Sequence, residues 1–255
     1  PWTRADVSLL AFDAGTTVAG VATRSRCPSP EVELCRRHLP WGGARGLVVN
    51  AGNSNAFTGA KGAAAAAAQV AEAANLIGCE PAEVFAASPG EIGVPLPQDR
   101  AIAGVRAAHA ALGQASWLDV TRAIGTTDTF PKAAAREAVV GGTTVRLVGF
   151  VKGSGMIAPD MATMLGFIVS DAAIAAPILQ QMLERANAAS FSCITVDGDT
   201  STSDTLLAFA TARAGNPRIE EADSPGADAF AAALHDLCRE LSQLVVRDGE
   251  GASRF

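Results

Sequence analysis

Thr163 stands where a polar, glycine-containing approach (Lys152, Gly153, Ser154, Gly155, then Pro159 and Asp160) gives way to the apolar run 164–169. That change of pattern predicts a loop feeding a buried strand. A threonine at the head of a core strand has an ordinary explanation, because β-branched residues favour strands. It also has a chemical one. If the protein cuts its own Ala162–Thr163 bond, Thr163 owns both a hydroxyl nucleophile and a free α-amine to act as its base. Residue type and spacing leave both readings open.

Other polar clusters interrupt the chain. NAGNSNAFTG (50–59) crowds amide side chains and glycines at the end of an apolar segment, which suits either a pocket wall or a plain turn. TTDTFPK (126–132) has hydroxyls and Asp128 suited to capping a turn. TVDGDTSTSDT (195–205) faintly matches a calcium loop, but Ala208 stands where the terminal Glu is required, so metal is rejected. The histidines His38, His109 and His235 lie far from one another and from any cysteine at ligand spacing, which again argues for no metal.

KGSGMIAPDMATML resembles the self-cleavage segment of the ornithine acetyltransferase family, also called the glutamate N-acetyltransferase or ArgJ family. NAGNSNAFTG, TTDTFPK, TVDGDTSTSDT and RDGEGAS (247–253) match the same family in the same order, so the resemblance covers nearly the whole chain. It implies a layered α/β sandwich of the ornithine acetyltransferase type with the cut on a central strand. Residues 1–162 then form an α-subunit portion and 163–255 a β-subunit portion, expected to continue past Phe255, with one main domain built from both.

The resemblance also implies roles. Thr163 is the nucleophile after cleavage at Ala162–Thr163, and Thr126 (with Thr127 as its neighbour), Lys152 and Glu250 contact substrate. The family's oxyanion turn usually reads Ser-Thr-Gly-Val-Ile-Gly, where this chain has Ser88-Pro89-Gly90-Glu91-Ile92-Gly93. Gly90 keeps its amide, but Pro89 has neither a hydroxyl nor an N–H, so one donor is lost. Such a loss typically costs about 10²–10³ in rate.

The implied reaction is ping-pong acetyl transfer from N-acetylornithine to glutamate in arginine biosynthesis, with the question whether acetyl-CoA also serves as donor left open. No cofactor is needed. The α and β chains are expected to assemble as an α2β2 heterotetramer in the cytoplasm. Two alternatives stand beside it: a self-cleaving amidohydrolase or aminopeptidase with water as acceptor, and a non-catalytic, uncleaved relative, suggested by Pro89 and the missing C-terminal segment.

The elements that must position these residues alternate between strand and helix, which gives the α/β class. Segments 7–12 and 17–23 flank Asp13-Ala14-Gly15 and read as a hairpin. Residues 46–50 and 84–87 read as strands, and 62–77 as a helix stopped by Gly78. Helices are expected at 99–112, 115–124, 175–188, 205–212 and 229–246. A hairpin is expected around Gly141-Gly142 and a strand at 191–196.

The 255 residues are 49% hydrophobic but only 5% aromatic, with no tyrosine, so the core is expected to be close-packed small aliphatics. A net charge of −6, with acids and bases interspersed, argues against nucleic acid as a partner. The five cysteines lack any CxxC pair and read as reduced thiols. No basic stretch precedes an apolar N-terminal run, and the alanine-rich segment 63–74 has too little hydrophobicity to span a bilayer, so neither signal peptide nor membrane segment is expected.

Overall fold

Apolar strands, several of them buried on both faces, build two sheets that share one interior. The structure, a computed structural model, describes residues 5–158, 164–251 and 253. In chain order the first elements are β1 (Val7–Ala11), β2 (Thr17–Ala22), α1 (Pro30–His38), β3 (Gly46–Asn50) and β4 (Gly52–Asn53). Then come α2 (Gly59–Ile77), β5 (Val84–Ala87), β6 (Gly90–Glu91), α3 (Gln98–Ala110) and α4 (Trp117–Ile124). The second half contributes β7 (Lys132–Val140), β8 (Thr143–Lys152), β9 (Leu165–Ser170), α5 (Ala176–Ala188), β10 (Thr205–Ala210) and α6 (Ala227–Arg247).

One sheet has the order β1-β3-β5 and the other β2-β10-β9-β8-β7, while β4 and β6 form a short parallel pair. The two larger sheets meet through Leu10, Phe12, Leu47, Val49 and Phe85 on one side and Phe150, Phe167, Leu207 and Phe209 on the other. Phe209 stacks on Phe12 at 4.6 Å and meets Phe85 edge-on at 6.0 Å, so the few aromatics concentrate at this seam. Intervening residues point outward. Val48, Val84 and Ala86 pack under α2 with Val70 and Ala73. Leu147, Ile168 and Leu206 pack under α5 and α6 with Leu183, Leu234 and Leu237. The result is a four-layer α/β/β/α sandwich, as the resemblance implied.

The helix stop at Gly78 is left-handed, and its amide donates to Ala74 O at 2.8 Å. The β7–β8 hairpin turns at Gly141-Gly142 as expected.

Three expectations are corrected. Segments 7–12 and 17–23 do not form a hairpin: β1 pairs with β3 and β2 with β10, in different sheets. The turn only carries the chain from one layer to the other. Residues 205–212 are not a helix, because TLLAFA is β10, buried on both faces between β2 and β9. A strand buried on both faces reads as a continuous apolar run, which periodicity cannot tell from a buried helix. Residues 191–196 are not a strand but a 3-10 turn at Phe191–Cys193 followed by loop.

Candidate active site

Strand ends and the loops after helices, not sheet faces, supply the polar groups. At the end of β8, Lys152 pairs in register with Leu165 of β9. A cleft of about 940 Å³ opens over this edge, with Lys152, Met164 and Leu165 in its wall. Pro89, Gly90, Thr126, Thr127 and Glu250 line the same cleft. All the sequence-derived site positions among the described residues therefore come together. Ala162 and Thr163 lie outside the described residues.

A buried ion network holds the Thr126-Thr127 turn, the β8 end and the C-terminus of α6 in register. Lys132 is fully buried and its Nζ pairs with Asp128 and Asp248, each at 2.5 Å. Asp128 Oδ1 also accepts the Gly153 amide at 2.8 Å, and Oδ2 accepts the Thr126 amide at 3.0 Å. Asp248 accepts the Thr129 amide and hydroxyl. Burial alone would raise the Asp128 carboxyl, but the charge of Lys152, the Gly153 amide and Lys132 outweigh it and hold it below the ordinary range.

That network leads directly to Glu250. Its amide donates to Ser154 O at 2.8 Å, and the Ser154 hydroxyl lies 2.7 Å from Thr127 Oγ1 and 3.4 Å from Glu250 Oε1. Gly155 sits so close that a Cβ there would meet the Glu250 carboxylate at 2.8 Å. Lys152, Asp204 and Glu250 line the cleft together. Burial depresses its pKa most, Asp128 opposes that, Lys132 lowers it further, and Asp204 and Glu250 favour the charged form.

The opposite wall is the β4–β6 pair. The Gly52 amide donates to Pro89 O at 2.7 Å and the Ser54 amide to Glu91 O at 3.0 Å. The amide of Gly90 takes no part in those bonds, and Gly90 lines the cleft. At Gly90 φ is +142°, and a Cβ would fall 2.2 Å from the Gly52 carbonyl carbon, so only glycine fits. Behind the turn lies a buried polar cluster. Ser88 Oγ is 2.9 Å from Glu31 Oε1 and 2.5 Å from Asn50 Oδ1, while Asn55 Nδ2 donates to Glu31 Oε1 at 2.7 Å and Gln69 Nε2 to Asn50 Oδ1 at 3.1 Å.

Sequence reading missed Asp204 and Glu31. Asp204 is 1% exposed, and among the described residues neither of its carboxylate oxygens has a hydrogen-bond partner at bonding geometry. Burial pushes its pKa well up, against the nearby Met164 amide, the Ser201 hydroxyl and amide, and the charge of Lys152. It lies in TVDGDTSTSDT, just before the apolar run that the pattern predicts as a helix, and only strand β10 puts Asp204 beside Met164, whose carbonyl accepts the Thr205 amide at 3.1 Å. The sign of Glu31 was its spacing: it shares the buried face of α1 with Leu34 and Cys35. The 195–199 loop braces the segment before the described residues break, since Asp197 Oδ1 accepts the Ile157 amide at 2.8 Å. Among the described residues, no cluster of three or more His, Cys, Asp or Glu side chains suits a metal ion, and no helix is long and apolar enough to cross a membrane.

The sequence model of the ArgJ family matches residues 2–255. The chain is 55% identical over 254 residues to the arginine biosynthesis bifunctional protein ArgJ of Zymomonas mobilis subsp. mobilis, covering 100% of this chain and 62% of that protein. It is 50% identical over 252 residues to the protein of the same name from Gluconobacter oxydans, covering 99% of this chain and 59% of that one. The chain thus spans about three fifths of the length of the curated relatives it matches. In three dimensions it is similar to the l-aminopeptidase d-ala-esterase/amidase of Ochrobactrum anthropi, described as a variant of the Ntn hydrolase fold. The TM-score is 0.52 at 12% identity, over 94% of this chain and 75% of that one, a likeness of fold.

Proposed function

This chain belongs to the ArgJ family, and from that premise we propose that it transfers an acetyl group from N-acetylornithine to glutamate in arginine biosynthesis. The observation that carries the reading is convergence. Pro89-Gly90, Thr126-Thr127, Lys152 and Glu250, far apart in sequence, line one cleft with Met164, the neighbour of Thr163.

Self-cleavage of the Ala162–Thr163 bond divides the chain into an α portion, 1–162, and a β portion, 163–255, and frees the Thr163 amine. An α-amine titrates at about 7.7–8.0, so a modest downward shift makes it the base for its own hydroxyl at neutral pH. The Thr163 oxygen attacks the acetyl carbonyl while the amine takes the hydroxyl proton. The C–N bond breaks, that proton leaves with the ornithine amine, and an acetyl ester remains on Thr163. The glutamate amine attacks this ester and restores the hydroxyl. The Gly90 amide supports the oxyanion in both halves. Lys152 provides a cation for a substrate carboxylate, Glu250 an anion for a substrate ammonium, and Thr126 and Thr127 provide neutral polar contacts. An acetyl ester keeps no trace of its donor, so acetyl-CoA belongs to the same proposal, as do the cytoplasmic setting and an α2β2 assembly.

The test is acetyl transfer by the purified protein, followed by mass spectrometry, with denaturing gels alongside. Two bands and N-acetylglutamate are expected, and Thr163→Ala should give one band and no product. Acetate release that glutamate does not divert would replace this reading with a hydrolase. An uncleaved, inactive wild-type chain would replace it with a non-catalytic one.

A further inference from the structure

We propose that Glu31 is a positioning residue for the Ser88–Gly90 turn, acting in its neutral form through the Ser88 hydroxyl. The inference rests on the reading of Gly90 as oxyanion donor. It follows from counting protons in the buried cluster behind that turn. The Asn50 side chain is oriented by Asn53: the group facing Asn53 O at 3.3 Å must be the NH₂, because an oxygen there would oppose a carbonyl. Asn50 Oδ1 is therefore an acceptor only. Asn55 is oriented in the same way, because its Oδ1 accepts the Leu96 amide at 2.9 Å and its Nδ2 must donate to Glu31.

Ser88 has one hydroxyl proton, and Asn50 Oδ1 at 2.5 Å requires it. The second contact, 2.9 Å to Glu31 Oε1, is then a hydrogen bond only if Glu31 supplies the proton. A chain of donors results, from Glu31 to Ser88 to Asn50, and it ends at the residue before Pro89-Gly90. Glu31 is 1% exposed, and among the described residues its Oε2 has no hydrogen-bond partner at bonding geometry, which an ionised carboxylate tolerates poorly.

The surroundings agree. Burial raises the Glu31 carboxyl above its ordinary 4.5 and outweighs the opposing influence of Asn55, its own amide, Ser88 and Ser29. The facing groups from β3, β5, α2 and the 54–56 loop are the neutral Asn50, Ser88, Gln69 and Asn55. On α1 itself, the Cys35 thiol, pushed up to about 12 chiefly by burial, is the titratable neighbour. No cation compensates Glu31 among the groups acting on it. A carboxyl with a raised folded value favours the fold fully below 4.5 and loses that margin as pH rises through the folded value.

The experiment compares wild type with Glu31→Gln, Glu31→Ala and Ser88→Ala. Difference infrared spectra of wild type against Glu31→Gln should show the carbonyl stretch of a protonated acid at neutral pH. Amide exchange in the 88–91 segment should quicken about tenfold or more in Glu31→Ala and stay within about threefold in Glu31→Gln. The kcat for acetyl transfer should follow the same order, falling about tenfold in Glu31→Ala with KM moving less than about twofold. As pH rises from 4.5, wild type should lose stability relative to Glu31→Gln. An ionised Glu31 at neutral pH overturns the proposal, as does unchanged turn exchange in Glu31→Ala. Should Glu31→Ala fail to fold, Ser88→Ala carries the exchange test, with unchanged exchange again overturning it. A wild type that transfers no acetyl group defeats the proposed function, while the infrared and exchange measurements still decide the role of Glu31.

Discussion

At the scale of single residues, position 89 carries the sharpest question. Pro89 brings no N–H and no hydroxyl to the cleft, yet its carbonyl accepts the Gly52 amide at 2.7 Å, a bond that any residue there keeps. Pro89→Thr therefore adds a donor without dismantling the β4–β6 pair. One oxyanion donor is commonly worth about 2.7–4 kcal/mol, against about 0.4–1 kcal/mol lost through a looser unfolded chain. Single-turnover acetylation should rise about tenfold or more while the melting temperature falls slightly, and equal rates would mean that other groups hold the oxyanion. Asp204 calls for a pH measurement. Its folded pKa is raised, so its contribution to stability is complete below the ordinary 3.8 and declines as pH rises through the folded value. Asp204→Asn removes that dependence, so the variant should gain on wild type, in melting temperature, as pH increases. A difference that stays flat with pH would contradict the buried, unpaired carboxyl.

Elements meet at the Lys132 network, which joins β7, the 126–129 turn and the C-terminus of α6. Removing one partner of a buried ion pair leaves the other uncompensated and costs about 3–5 kcal/mol. Asp248→Ala strips Lys132 of one carboxylate and Thr129 of its acceptor. Because Glu250 lies two residues on and hangs from Ser154, the same change should loosen the cleft as well as the fold. Denaturant unfolding should register the loss of stability, and KM should rise more than kcat falls. A destabilised variant with native KM would show that the network supports α6 without setting the position of Glu250. The sequence displayed Asp128 as a turn cap, and it does accept the Thr126 amide. It displayed Asp248 within RDGEGAS but not its pairing with Lys132, more than a hundred residues away, because ion pairing across elements leaves no local spacing to read.

Across the whole molecule, the two sheets share one aromatic seam, so they should unfold together. Phe209 is 1% exposed and packs on both Phe12 and Phe85, which ties β10 to the other sheet. Phe209→Ala should cost about 3–5 kcal/mol and still give a single transition by circular dichroism and fluorescence. Two separated transitions would mean that the layers are independent. The sequence by itself determined the α/β class, the β7–β8 hairpin, most helices and, through the family resemblance, Pro89, Gly90, Thr126, Thr127, Lys152 and Glu250 among the residues of the cleft. Those features rest on period, on glycine stops and on short motifs that survive as strings of residues. Tertiary structure alone decided that β1 and β2 part into different sheets, because a tight turn states where the chain reverses and not which strand it then joins. It alone decided that 205–210 is a strand, since burial on both faces erases the two-residue period. It alone gathered Glu31, Asn50, Gln69 and Ser88 behind the turn at Gly90, for a buried polar group is defined by the partners that desolvation forces on it, and those partners come from α1, β3, α2 and the end of β5.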